Sequence, residues 1–270
     1  VFHLPARSHY TISSKLLNEL ANRGHNVTVV TPYPQKSPPK TLKEISVESL
    51  IDSMNVIIDM TRIIEHVEFI TNAEKRYLFG LDKNIVFENL KFLTHMGYVL
   101  VEHALAHENI QKLLQTNEKY DVVILPHHLN EALLGIAHHF RAPLVLVDSM
   151  PQFPWGSFYL SHPAPSSYVP NLLAHFTGRM NFWQRLLNSF YDSYTLLYHQ
   201  WIILPKHREL VKKYIPGQPD LYDFLNNASL LLINSHVSTY EAIPQVPNAI
   251  EVGGFFIQEP KSFRKIYKHF

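Results

Sequence analysis

Residues 121–148 read DVVILPHHLNEALLGIAHHFRAPLVLVD. YDVVILP (120–126) is an apolar run of strand length that a proline closes. NEALLGIAHHF (130–140) repeats its apolar residues at helical spacing, and APLVLVDS (142–149) is a second strand-like run. A strand, a helix and a strand joined by short links form a βαβ unit, which requires two parallel strands and a crossover.

The same grammar holds on either side. In LPARSHYTISSKLLNELANRGHNVTVVTP (4–32), residues Ile12, Leu16, Leu17, Leu20 and Ala21 make one apolar helical stripe, and Gly24 follows the last turn where a left-handed cap is needed. NVTVV (26–30) reads as a buried strand stopped at TPYP. ISVESL (45–50) reads as a short strand with alternating faces, and residues 60–115 are mostly helical in pattern. Residues 151–170 are rich in proline, serine and aromatics and read as a long irregular loop. A long helix is expected in MNFWQRLLNSFYDSYTLLYHQWI (180–202), followed by strands in SLLLINS and IEVGGF. The expected fold is α/β: a doubly wound parallel sheet with helices on both faces.

Composition narrows the function classes. The 270 residues are 46% hydrophobic, enough for a sizeable core, and the net charge of +1 comes without a basic or acidic block, so bulk electrostatics points to no nucleic acid. With no cysteine, disulfide and thiol chemistry are excluded. No apolar run approaches the roughly 20 residues that span a bilayer. The nine glycines form neither a dinucleotide fingerprint nor a triphosphate loop, so no bound cofactor is expected.

Histidines and carboxylates at strand ends carry the candidate chemistry, because ligands in open α/β sheets bind at the carboxyl ends of the strands. His9 lies where the first strand gives way to the first helix. A helix N-terminus disfavours imidazolium, and a neutral imidazole is what a general base requires. A loop histidine bonded to backbone is the competing reading. His127 and His128 follow the strand that ends at Pro126, and Asp148 ends the next one, at the same edge. Glu131 opens the following helix, where N-terminal capping accounts for an acid without catalysis. His103 and His107 share a helical face but lack a third metal ligand. Of two glycosylation acceptor patterns, NVT at Asn26 lies in a predicted buried strand, whereas NAS at Asn227 precedes one and is the expected acceptor.

Several stretches, in order, resemble one family. SHYTISSKLLNELANRGHNVTVVTP (8–32), residues 120–149, PSSYVP (165–170), MNFWQRLLN (180–188), LLINSHVS (231–238) and PQVPNAIEVGGFFIQEPK (244–261) together resemble the UDP-glycosyltransferases of animals, those of insects above all. The resemblance implies the N-terminal half of a GT-B enzyme. Residues 1–258 would be the Rossmann-like acceptor-binding domain and 259–270 the start of an interdomain linker or an aberrant tail. It also implies that the donor-binding domain and a C-terminal membrane anchor lie outside these residues. It further implies inverting transfer of a sugar from a UDP-sugar co-substrate to a small lipophilic alcohol or phenol, with His9 as the base, at the lumenal side of the endoplasmic reticulum membrane, in a detoxifying role, with homo- or heterodimers possible. The family's acid partner follows the strand that Pro126 ends here, so proline stands in its place; Glu131 is the nearest carboxylate in sequence, and His127 or a water could otherwise fill the gap. The alternative is a non-catalytic module that binds lipophilic ligands or pairs with full-length enzymes; a metal enzyme built on the histidine-rich segments ranks behind both.

Overall fold

The computed structural model describes residues 1–3, 5, 7–52, 55, 85–127, 129–149, 163–174, 176–238 and 243–257. Strands β1 (Val27–Thr31) and β2 (Leu42–Ser46) pair in parallel. Strands β3 (Val123–Pro126), β4 (Leu144–Asp148), β5 (Ala228–Ile233) and β6 (Ala249–Glu251) form a second parallel sheet in that order. The first three residues join the two. Val30 N–H donates to the Val1 carbonyl at 2.8 Å and His3 N–H to Val30 at 2.9 Å, while Phe2 N–H donates to Ile124 of β3 at 3.3 Å. The lateral order is therefore β2, β1, residues 1–3, β3, β4, β5, β6. The chain starts in the middle, winds one way to β2, and returns to wind the other way from β3. That is the doubly wound arrangement, and its switch point lies between residues 1–3 and β3.

Helix α1 (Arg7–Asn22) forms as its spacing predicts, and Gly24 takes φ +93° just beyond it. Its Leu17 and Ala21 pack on Val27, Val29 and Leu42, while Val30, one residue out of phase on β1, joins the main core on the opposite face. Period-two alternation thus covers both faces of the sheet. The main core unites Leu90, Val101 and Leu105 of α2 (Ile85–Ala106) with Leu125, Leu146 and Leu231 of the sheet.

Five local readings change. Strand β2 runs Leu42–Ser46, so it both starts and ends earlier than the ISVESL pattern implies. The helical run through residue 114 breaks at His107, which is the N-cap of α3 (Glu108–Leu114) and accepts from Asn109 N–H at 3.1 Å; His103 and His107 therefore sit on different elements. The helix α4 (Leu134–His139) is preceded by a 3₁₀ turn at Glu131–Leu133. Helix α5 (Phe182–Tyr198) starts with an Asn181/Gln184 capping box and runs on through a π-helical turn, His199–Ile203, into α6 (Leu204–Tyr214). Pro205 explains the widening: it has no N–H for the preceding turn, and its ring needs space there. Asn26 is exposed, just outside β1 rather than within it, because the strand begins at Val27. Residues 60–84, His128, 150–162 and 259–270 lie outside the described residues, and with them parts of the expected helical region, the aromatic loop and the tail.

Candidate functional site

A cavity of about 290 Å³ opens at the carboxyl ends of the central strands, at the switch point where this topology leaves a crevice. Phe2 and Ile124 wall it from the sheet, Ile12 from α1, and Leu93, Met96 and Leu100 from one face of α2. These last three recur at the three- and four-residue intervals that put side chains on one helical face. The walls are apolar. Among the described residues, the polar side chains on them are His3, His9, Ser13, His127 and Ser149.

His9 sits in the first turn of α1 and is half-buried. Burial is the largest influence on it and lowers its pKa below the ordinary histidine value; the charge of Asp148 pulls the other way. Its imidazole is therefore biased toward the neutral form at neutral pH, chiefly by desolvation. Ser13 fixes the turn by donating its hydroxyl to the His9 carbonyl at 2.9 Å. That spends the only hydroxyl proton, so the 3.1 Å contact between Ser13 Oγ and His3 Nδ1 is donated by His3. Burial pushes His3 down to about 3, so it is neutral and its Nε2 carries a lone pair. No reading of the sequence singled out His3. The signal available was its place at the end of a strand-like opening that faces the same edge as His9.

Strand pairing assembles the other wall. Pro126 lies opposite Val147, so the residues that follow, His127 and Asp148, emerge side by side at the sheet edge. His127 Nδ1 is 3.3 Å from Asp148 Oδ2, with both side chains nearly sealed from solvent. Burial works against a charge on His127, but the Asp148 hydrogen bond and charge overcome it and raise its pKa. The loop that carries His127 is pinned from above. Gly97 of α2 lies so close that a Cβ there would stand 2.7 Å from both Leu129 Cβ and the Leu129 carbonyl oxygen. Leu129 itself has φ +52°, an uncommon conformation for a branched residue that this close packing holds in place. Asn130 Nδ2 donates to the Pro126 carbonyl at 2.6 Å and closes the turn.

Glu131 is not brought to His9. The 3₁₀ turn aims it into the interior, where its Oε1 accepts from His199 Nε2 at 2.6 Å and its Oε2 lies 3.6 Å from His207 Nε2. Burial alone would raise this carboxyl; the charges of His199 and His207 and the His199 hydrogen bond hold it far below the usual carboxylate range. The acid whose charge reaches His9 is Asp148, on the neighbouring strand. Proximity in sequence pointed to Glu131 because the register that aligns β3 with β4 is not visible in a linear chain. His138 and His139, adjacent in sequence, diverge: His138 stacks on Phe224, and His139 Nε2 meets the Leu114 carbonyl at 2.8 Å. Asn227 is exposed directly ahead of β5. Among the described residues there is no group of three or more potential metal ligands, and no helix long and apolar enough to cross a membrane.

Comparison with known proteins places the chain. The model of the family described as "UDP-glucoronosyl and UDP-glucosyl transferase" matches residues 2–270. The chain belongs to this family. It is 28% identical over 263 residues to UDP-glucosyltransferase 2 of Dactylopius coccus, covering 97% of this chain and 48% of that protein. With UDP-glycosyltransferase UGT5 of the same organism it shares 30% over 267 residues, 96% of this chain and 47% of the other. With human UDP-glucuronosyltransferase 3A1 it shares 27% over 250 residues, 92% and 45% of the two chains. The chain thus spans about half the length of these curated relatives. No solved structure matches it. The parallel α/β architecture is the one expected for the N-terminal half of a GT-B protein, the fold class of this family.

Proposed function

We propose that this chain is the acceptor-binding half of a UDP-sugar glycosyltransferase, with His9 as its general base. One observation carries the reading: a desolvated, neutral-biased imidazole stands on the wall of an apolar cavity at the switch point of a doubly wound sheet. The apolar walls would hold a small lipophilic alcohol or phenol by burial of its surface, and His9 would receive the proton of its hydroxyl. As that proton leaves, the oxygen attacks the anomeric carbon of the UDP-sugar from the face opposite the phosphate. The bond from that carbon to the phosphate oxygen breaks, UDP departs with the electron pair, and the sugar configuration inverts. The UDP-sugar would be held mainly by residues beyond this chain. His9 would bear the proton as imidazolium until solvent removes it.

The test is transfer of radiolabelled sugar from a UDP-sugar to a small phenol by a full-length polypeptide that contains this chain. His9→Ala should lower turnover by about 10²–10⁴-fold while its unfolding midpoint stays close to that of the parent. Turnover near the parent's would overturn the assignment.

A further inference from the structure

We propose that Asp148, oriented by His127, is the positioning carboxylate of His9, supplied by strand β4 in place of an acid at the end of β3. The inference rests on the reading of His9 as the base.

The geometry begins with Pro126. A carboxylate at that position would sit at the end of β3, but proline offers none. The parallel register sets Pro126 beside Val147, which delivers the next residue of β4 to the same edge. Asp148 arrives there buried, 1% exposed. Its neighbours Val147 and Ser149, its partner His127, and His9 all line the same cavity. The end of β4 is tied down: Asn234 N–H donates to the Asp148 carbonyl at 2.9 Å, and Asn234 Nδ2 donates to the Ser149 carbonyl at 3.2 Å. His127 Nδ1–H holds one carboxylate oxygen, Oδ2. A buried carboxylate fixed in this way supplies a pre-oriented negative charge to an imidazole that must become imidazolium during the reaction.

Among the described residues, the titratable groups on which the Asp148 charge acts are His127 from the β3 side and His9 from α1; Glu131 acts on His127 through space. Asp148 is thus shared by two imidazoles. The raised pKa of His127 and the lowered pKa of His9 give the two substitutions opposite signs. When His9 titrates, His127 still carries its proton and offsets part of the Asp148 charge. Removing the Asp148 charge lowers the His9 pKa further, less the part offset when buried His127 gives up its proton with it. Removing the His127 charge raises it.

The experiment measures kcat, KM and the pH profile of sugar transfer to a phenol by the full-length polypeptide, with the His9 pKa followed by NMR. Asp148→Asn can still accept the His127 hydrogen bond but carries no charge. Its kcat should fall by less than the roughly 10²–10⁴-fold expected for loss of the base, with KM little changed. The acid limb of its profile, where the base must lose its proton, should move to lower pH. Asp148→Glu should restore part of kcat. His127→Gln should move the same limb to higher pH, and it decides the matter should Asp148→Asn fail to fold. A purely structural role for Asp148 would lower the amount of folded protein without moving the limb. If His9→Ala abolishes turnover yet neither variant displaces the limb or the NMR titration of His9, this inference is overturned and the base assignment stands. If His9→Ala retains turnover, both fall.

Discussion

Removal of the Glu131 carboxylate is the most demanding test of the packing behind the site. Glu131, His199 and His207 are all sealed from solvent. His207 Nδ1 accepts the Ala132 N–H at 3.1 Å, so neutral His207 carries its proton on Nε2, which faces Glu131 Oε2. Tyr98 closes over its ring edge-on, at 6.1 Å between centroids. Glu131→Ala therefore removes a charge-assisted 2.6 Å bond from His199, strands that imidazole N–H in the core, and takes away the carboxylate that lies 3.6 Å from His207 Nε2. A lost hydrogen bond to a charged group contributes about 1.5–3 kcal/mol, and an unsatisfied buried donor costs about 1–3 kcal/mol more. The sum falls near the about 3–5 kcal/mol typical of breaking a buried pair by deleting one member. For a chain of this size, roughly 2–4 °C per kcal/mol puts the midpoint drop on the order of 10 °C. Glu131→Gln should cost less, about 1–3 kcal/mol: its carbonyl can still accept from His199, but its amide opposes the His207 N–H, donor to donor.

The pH dependence follows from the directions. Glu131 is depressed in the folded chain, so its contribution is fully present above the unfolded carboxylate value of about 4.3 and is lost as pH falls toward the folded value. His207 is also lowered, first by burial, so its neutral form contributes stability above about pH 6.5 that is lost on acidification. The parent should therefore weaken from about pH 6.5 downward, and its advantage over Glu131→Ala should shrink below about pH 4.3. Urea and thermal unfolding followed by tryptophan fluorescence at pH 7, 5 and 3.5 measures both effects. A variant within about 1 kcal/mol of the parent at pH 7, where about 3–5 is expected, would refute the reasoning, and so would a deficit of unchanged size at pH 3.5.

Gly97→Ala should destabilise despite the better helix propensity of alanine: a gain of about 1 kcal/mol is set against an overpacking cost of about 1–3 kcal/mol, because the new methyl would meet Leu129 at 2.7 Å. It should also lower sugar transfer, since Leu129 lies in the loop that bears His127; a higher urea midpoint with unchanged transfer would contradict the close packing. Expressed through a secretory pathway, the protein should carry a glycan at exposed Asn227, and Asn227→Gln should reduce its mass by one glycan, a shift that enzymatic deglycosylation abolishes; identical masses for parent and variant would disprove attachment there.

Much of the fold was legible in the chain because it is local. The stripe from Ile12 to Ala21, the apolar runs of β1, β3, β4 and β5, and the positive φ at Gly24 each follow from a few neighbouring residues. Readings that failed crossed a boundary set by tertiary packing. The pattern through residues 98–114 is continuous in apolar spacing, yet the helix ends at Ala106 and His107 caps the next one, with its ring also 3.1 Å from Ser49 Oγ. The long helix after Asn181 persists beyond residue 202 because a π turn absorbs Pro205 and sends His199 inward.

The candidate site divides in the same way. Sequence alone placed His9 at the end of a strand and the start of a helix, and placed His127 and Asp148 at the ends of their strands. Those positions depend on patterns a few residues long. It could not choose between Glu131 and Asp148. Glu131 is five residues beyond Pro126 and Asp148 is twenty-two, yet parallel pairing sets Asp148 beside His127, while a 3₁₀ turn commits Glu131 to histidines 68 and 76 positions away. A carboxylate's charge acts through space rather than along the chain, and only the register of the sheet and the packing of α6 with the π turn before it decided that Asp148, and not Glu131, is the acid whose charge bears on His9.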